Sequence, residues 1–230
     1  MQAEATVIHV LNALDWSPLV ISLKTSVCAT IVAFVFGVPV ARLVYGMTGR
    51  LRAVCDALFT LPLVLPPTVV GFILLIVFGW QSPVGIALRS IGYRLIFTWE
   101  ATVVAASVVA FPLIYRTVRA AFEQIDPTVM DAARTLGLSE QTIFFRIMLP
   151  CAFPGCIAGM VLGFARALGE FGATLMIAGN IPGRTQTIPV AIWSAVEGNE
   201  MVEAGIWVAI IVVLSLLVIM PLNIFGARRV

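Results

Sequence analysis

Charged residues are scarce in this chain of 230 residues: only 11% of them are aspartate, glutamate, lysine or arginine. A soluble domain of average composition is about one quarter charged and about half apolar. Here 60% of the residues are hydrophobic and the mean hydropathy is +1.05. The composition therefore indicates an integral membrane protein and argues against a soluble enzyme. A net charge of +2 also gives no basic surface for binding nucleic acid.

Residues that build catalytic and metal sites are rare as well. The single histidine, His9, and four cysteines without a CxxC pair provide no spacing typical of zinc ligands, so we expect no metal site. Lys24 is the only lysine and follows leucine instead of glycine, which excludes a Walker A phosphate loop. We therefore expect no catalytic residue and no cofactor in this chain. If transport uses ATP, another subunit must hydrolyse it.

The few charges divide the chain into long uncharged runs. With their flanks, five runs are long enough to cross a hydrocarbon layer about 30 Å thick, because an α-helix rises about 1.5 Å per residue. We therefore expect one all-α membrane domain over residues 1–230 with five transmembrane helices. The predicted spans cover residues 19–45, 57–79, 97–119, 152–178 and 205–226.

The arginines predict the orientation of these helices, since basic residues are enriched in cytoplasmic loops. With the N-terminus outside and the C-terminus in the cytoplasm, nine arginines lie inside and only three lie outside. The nine are Arg42, Arg50, Arg52, Arg116, Arg119, Arg134, Arg146, Arg228 and Arg229, and the three are Arg89, Arg94 and Arg184.

The second span contains Leu-Pro-Leu-Val-Leu-Pro-Pro-Thr at residues 61–68. Proline has no backbone N–H and breaks the helical hydrogen-bond ladder. Inside a membrane, the freed carbonyls are tolerated only where protein or a water-filled cavity satisfies them. Two interpretations stay open: a kinked packing helix, or a broken helix lining a translocation path, as is typical of transporters. The second makes Pro66, Pro67 and Thr68 candidate path or gate residues.

The fourth span carries three glycines at a spacing of four, Gly155, Gly159 and Gly163. This small-xxx-small pattern predicts close contact with another helix. The spacing does not distinguish a contact within one subunit from a contact across a dimer.

Two charges follow in the same span, four residues apart and thus on one helix face: Arg166 and Glu170. Charges inside a membrane are costly and usually face the protein interior or a water path. The pair can neutralise itself, or Arg166 can add positive potential to a path for an anion, and the two interpretations are compatible. Both residues, with the adjacent Phe171, are candidate path residues.

The most polar long connection covers residues 122–148, between the third and fourth spans. Asp126 suits a helix N-cap, Pro127 the first helical position and Gly137 the position after the helix end. A helix there would be about 15 Å long, too short to span a membrane. A second short helix is expected after Ser139, ending at Leu149–Pro150.

An apolar stripe runs along the first of these helices and needs a packing partner. It consists of Val129, Met130, Ala133 and Leu136. Its partner is the protein's own membrane domain or the lipid surface, or alternatively a groove on a cytoplasmic protein.

The same connection resembles the signature of permease subunits of ATP-binding-cassette importers, which is usually written E-A-A, three residues, G, nine residues, I-x-L-P. The matching residues are Asp131, Ala132, Ala133, Gly137 and residues 147–150. Asp131 departs from the usual glutamate but keeps the charge. Residues 61–71, 164–174 and 180–189 are similar to molybdate permeases in particular.

This resemblance implies a type I ABC importer permease fold and a homodimer in the bacterial inner membrane. It also implies a cytoplasmic ATP-binding-cassette ATPase dimer, which binds ATP and magnesium, and a periplasmic molybdate-binding protein. The helix near residues 127–136 would be a coupling helix that docks on the ATPase. The implied coupling residues are Asp131, Ala132, Ala133, Arg134, Leu136 and Gly137.

Three alternatives remain at this point. Related oxyanion permeases share much of these segments, so tungstate or sulfate is possible as the transported ion. A stand-alone secondary transporter or channel would need an ion relay, for which Arg166 and Glu170 are the only deep charges. A purely structural membrane subunit is the third alternative.

Overall fold

A computed structural model describes residues 13–226, with side chains described as far as residue 220. Arg228, Arg229 and His9, which entered the arguments on orientation and metal binding, lie outside the described residues. Within the described part, all regular secondary structure is helical. The helices are α1 (Ser17–Tyr45), α2 (Gly49–Val64), α3 (Pro67–Phe78), α4 (Pro83–Ser90), α5 (Trp99–Glu123), α6 (Pro127–Thr135), α7 (Glu140–Cys151), α8 (Phe153–Leu168), α9 (Gly172–Ala178), α10 (Ile188–Glu197) and α11 (Met201–Gly226).

Helix α5 forms the centre of the bundle and packs most extensively against α1 and α8. Small side chains make this close approach possible. Ala29 and Ala33 of α1 and Ala106 and Ala110 of α5 are all buried in the main core.

Three helices are each long and apolar enough to cross a membrane: α1, α5 and residues Met201–Met220 of α11. Two further crossings require broken pairs, because α2 and α3 meet at 109° and α7 and α8 at 70°. The described chain therefore has up to five spans by length and composition.

The second span is broken rather than kinked. Helix α2 begins at Gly49, eight residues before the predicted start at 57, and Leu65 is extended, with ψ 141°, before α3 begins at Pro67. The ring of Pro66 disfavours helical geometry at Leu65, and neither Pro66 nor Pro67 can donate to the helical ladder.

The expected helix stop at Leu149–Pro150 is wrong. Helix α7 continues to Cys151, and its residues Phe144–Met148 form a π-helical turn. A π turn widens the backbone just before Pro150, where the proline ring would otherwise meet the carbonyl of Arg146. The break falls instead between Cys151 and Phe153, where α8 begins.

Two short helices, α4 and α10, were not predicted. Helix α10 packs against α11, and its Ile188 is buried with Trp207 in a separate apolar cluster. With ten residues it is too short to span a membrane.

Candidate translocation path and coupling surface

The break of the second span lies against a different interruption, residues 169–171, where the predicted span 152–178 is divided between α8 and α9. A methyl group added at Gly71 would lie 2.7 Å from Cα of Ala173, and one added at Gly172 would lie 3.1 Å from Cβ of Pro67. Glycine is therefore required at position 71 for α3 and α9 to approach, whereas a methyl group at position 172 would displace its neighbours on α3 by a few tenths of an ångström. The structure thus brings together two candidate groups that are about 100 residues apart in sequence.

Pro66, Pro67 and Thr68 remain exposed on the single chain. They lie at the start of α3, beside the start of α9. The side chains of these three path candidates therefore face out of the bundle at this junction instead of filling its core.

Glu170 is the buried acid of this junction. Its side chain is 1% exposed, its Oε1 accepts a 2.8 Å hydrogen bond from the backbone N–H of Ala173, and its Oε2 lies 2.9 Å from Nη1 of Arg166. The first contact satisfies one of the free N–H groups at the start of α9. The second is an ion pair without hydrogen-bond alignment.

Arg166 is partly exposed to solvent, with 27% of its side-chain surface accessible. The two alternative interpretations of this pair therefore coexist: the charges neutralise each other, while the guanidinium keeps donors that Glu170 does not use. Phe171 is half-buried, and its ring centroid lies 6.1 Å from that of Trp193 on α10.

The three spaced glycines of α8 all lie against α5 of the same chain. Methyl groups added at Gly155 and Gly163 would collide with Ala121 and Ile114, whereas one at Gly159 would meet Thr117 at 3.4 Å. These glycines therefore make a helix contact within one subunit, and the sequence alone did not distinguish this contact from one across a dimer.

Helix α6 covers residues 127–135 and begins as its capping residues predict. The Asp126 carboxylate accepts a 2.9 Å hydrogen bond from the backbone N–H of Thr128, which lowers the pKa of this carboxyl below its ordinary value. Gly137, two residues past the helix end, has φ +77°, a conformation that glycine adopts without strain.

The apolar stripe of α6 is divided between two surfaces. Met130 and Ala133 are buried in the main core with Phe122 and Ile143, so half of the stripe packs on the protein's own membrane domain. Val129 is exposed, and Leu136 is 80% exposed. This outer half, with the exposed Asp131 and Ala132, is free for a partner.

Arg134 holds this segment to its neighbours. Its guanidinium donates to Asp131 at 2.9 Å and to Glu140 at 2.7 Å, and these hydrogen bonds raise its pKa. Glu140 in turn accepts a 2.9 Å hydrogen bond from Arg42 at the end of α1. Sequence analysis missed Glu140, because no sequence pattern indicates a contact with a residue 98 positions earlier.

Known proteins resemble this chain in sequence and in fold. The family described as binding-protein-dependent transport system inner membrane component matches residues 33–226. A putative molybdenum transport system permease protein of Bacillus subtilis is 44% identical over 89% of this chain and 90% of its own length. The molybdenum transport system permease protein of Escherichia coli K12 is 43% identical over 80% of each chain.

A solved structure supports the fold alone. The inward-facing MetNI methionine ABC transporter matches with a TM-score of 0.70 at 18% identity, over 92% of this chain and 94% of its own. The described helices therefore have the arrangement of a type I ABC importer permease.

Proposed function

Because the chain belongs to the family of inner membrane components of binding-protein-dependent transport systems, we propose that it is the permease subunit of an ATP-driven molybdate importer. As a member of that family with several apolar helices, it is a multi-pass inner membrane protein. Such an importer needs an ATPase and a substrate-binding protein in addition to the permease.

Molybdate is supported as the transported ion by the names of the two relatives, each above 40% identity over at least 80% of both chains. Tungstate and sulfate are the ions to be tested against it. A second copy of this chain, an ATP-binding-cassette ATPase dimer carrying ATP and magnesium, and a periplasmic molybdate-binding protein complete the proposed assembly. In it the N-terminus faces the periplasm and the C-terminus the cytoplasm.

Helix α6 is the proposed contact with the ATPase. Its outer surface combines exposed Val129 and Leu136 with the polar Asp131 and Arg134, while Met130 and Ala133 fasten it to the bundle. A short helix held in this way can move as a rigid body when its partner closes. Asp131, Ala132, Ala133, Arg134, Leu136 and Gly137 are the proposed coupling residues.

The junction between the start of α3 and the start of α9 is the proposed path. Pro66, Pro67, Thr68 and Phe171 line it, and Arg166 offers its unused donors to an oxyanion. Since Glu170 offsets the charge of Arg166, the path holds the anion weakly, which allows the ion to leave. A strong site here would trap it.

The observation that carries the proposal is the two-part surface of α6, buried on the bundle side and open on the other. The test is uptake into proteoliposomes containing this chain, its ATPase and its binding protein. We expect molybdate uptake that requires ATP and the binding protein and exceeds uptake of sulfate. Uptake by this chain alone, driven by an ion gradient, would instead identify a stand-alone transporter.

A further inference from the structure

The inner half of the second span has little attachment to the bundle. None of the sixteen residues of α2, all of which the structure describes, is buried. Its neighbours are α5 and, to a smaller extent, α1. Exposed apolar residues such as Leu51, Val54 and Leu58 cover the rest of its surface. Whatever holds α2 must therefore act through a few side chains directed at α5.

A cluster of polar side chains provides that attachment. Asp56 of α2 accepts hydrogen bonds from the Tyr115 hydroxyl and from Arg119, both on α5. Arg52, one turn earlier on α2, pairs with Glu123 of α5. We call these five residues the inner clamp.

Further contacts tie the clamp together. Nε of Arg52 lies 3.9 Å from Asp56, and Nε of Arg119 lies 3.5 Å from Glu123. Two positive and two negative groups thus balance each other across the two helices. Tyr115 is fully buried, so its hydroxyl has a fixed position from which to orient the Asp56 carboxylate.

An aromatic contact extends the clamp toward the break. Phe59, one turn after Asp56, lies with its ring centroid 5.5 Å from that of Tyr115 and 5.9 Å from that of Phe111. Such ring pairs add stabilisation beyond the area that they bury. The polar and aromatic contacts lie on one face of α2, which α5 covers.

The clamp lies between the two regions that transport must connect. Helix α5 ends at Glu123, four residues before the coupling helix α6 begins at Pro127, and α2 ends at the break beside Pro66. A movement of the inner end of α5 therefore reaches α2 mainly through these side chains, since α2 has no fully buried residue and touches α1 less extensively than α5.

We propose that Asp56 is a positioning residue that fixes α2 to α5, so that the two helices move as one body throughout the transport cycle. This inference rests on the proposed function, because it assigns a route from the coupling helix to the path. Asp56 acts through Tyr115 and Arg119 and does not touch the transported ion.

The first test replaces Asp56 by asparagine, which keeps its volume but removes the charge that binds Arg119. We expect uptake per ATP hydrolysed to fall about five- to tenfold, in the ordinary range of coupling between sites, while the amount of assembled complex stays unchanged. Arg119→Gln should behave alike. The matched control is Arg116→Gln on the same helix, since Arg116 forms no ion pair within residues 13–220. An unchanged ratio in Asp56→Asn would overturn the proposal.

The second test asks whether the contact stays closed. In a background with the native cysteines replaced by alanine, Arg52→Cys and Glu123→Cys are joined by a bifunctional methanethiosulfonate reagent. We expect the joined protein to keep most of its uptake, because the clamp does not open during transport. Loss of uptake that dithiothreitol reverses would show that α2 and α5 must separate, which contradicts the proposal.

Cross-linking between α2 and α5 tests the clamp independently of the proposed function, because it does not require transport. If the wild-type complex shows no ATP-dependent uptake, the proposed function is wrong. The rate of cross-linking still measures how firmly α2 is held against α5. We expect Asp56→Asn to lower the rate of cross-linking severalfold relative to the parent pair. An equal rate would contradict the role of Asp56.

Discussion

At the residue scale, Glu170 contacts two groups in the short connection between α8 and α9. It accepts the N–H of Ala173 and pairs with Arg166, while its own side chain is almost fully buried. Removing one partner of a buried pair leaves an uncompensated charge and typically costs about 3–5 kcal/mol. The partial exposure of Arg166 makes the cost smaller here.

Arg166→Ala should therefore lower both uptake and the amount of folded protein. Combining it with Glu170→Gln removes the stranded charge and retains an oxygen for the Ala173 N–H. We expect the double variant to regain normal abundance in the membrane while molybdate uptake stays low. If uptake also returned, Arg166 would serve only to neutralise Glu170, and its proposed contact with the anion would be wrong.

At the scale of elements, the turn after α6 depends on one backbone conformation. Nothing lies within 4 Å of a methyl group added at Gly137, so a substitution there acts only through its positive φ. The left-handed conformation costs an ordinary residue about 1–2 kcal/mol, whereas asparagine tolerates it better.

Gly137→Ala should loosen the coupling helix, and Gly137→Asn should do so less. We expect faster amide hydrogen exchange over residues 127–135 and a lower ratio of uptake to ATP hydrolysis in the alanine variant. Equal behaviour of the two variants would show that the strained turn does not position α6.

At the scale of the whole molecule, the candidate path is open to the outside of the single chain. Pro66, Pro67 and Thr68 are exposed, as is Val64, whose side chain is 81% exposed beside the break. A second copy facing this junction would enclose it. The assembly, rather than the chain, then forms the complete path.

Native mass spectrometry of the purified complex should therefore find two copies of this 24.7 kDa chain. Val64→Arg, which places a charge beside the break, should reduce the fraction with two copies. Leu217→Arg on α11 is a control, because Leu217 is also exposed but lies on a different helix. A complex with one copy would contradict the homodimer.

Features that depend on interactions between neighbouring residues could be predicted from the sequence. Asp126, Pro127 and Gly137 act on their own neighbours, so they located α6 closely. Prolines 66 and 67 located the break, because their effect on the backbone is local. The type I permease fold came from a resemblance and is confirmed by the fold comparison.

Longer-range features could not be predicted in this way. Glu140 meets Arg42 and Asp56 meets Arg119 only because packing brings their helices together. The close contact between Gly71 of α3 and Ala173 of α9 joins residues about 100 positions apart, so no local pattern contains it. The π turn over Phe144–Met148 was also not predicted, because the sequence indicated only that the proline would end the helix.

The extensive contact between α1 and α5 has a consequence for biosynthesis. More than 50 residues separate the end of α1 from the start of α5, so α1 leaves the ribosome well before its main packing partner exists. The Thr25 hydroxyl of α1 lies 2.9 Å from the Thr102 hydroxyl, a contact that can form only after α5 is made. Until then α1 lacks its main packing partner, and a chain truncated before Trp99 would lack that partner permanently.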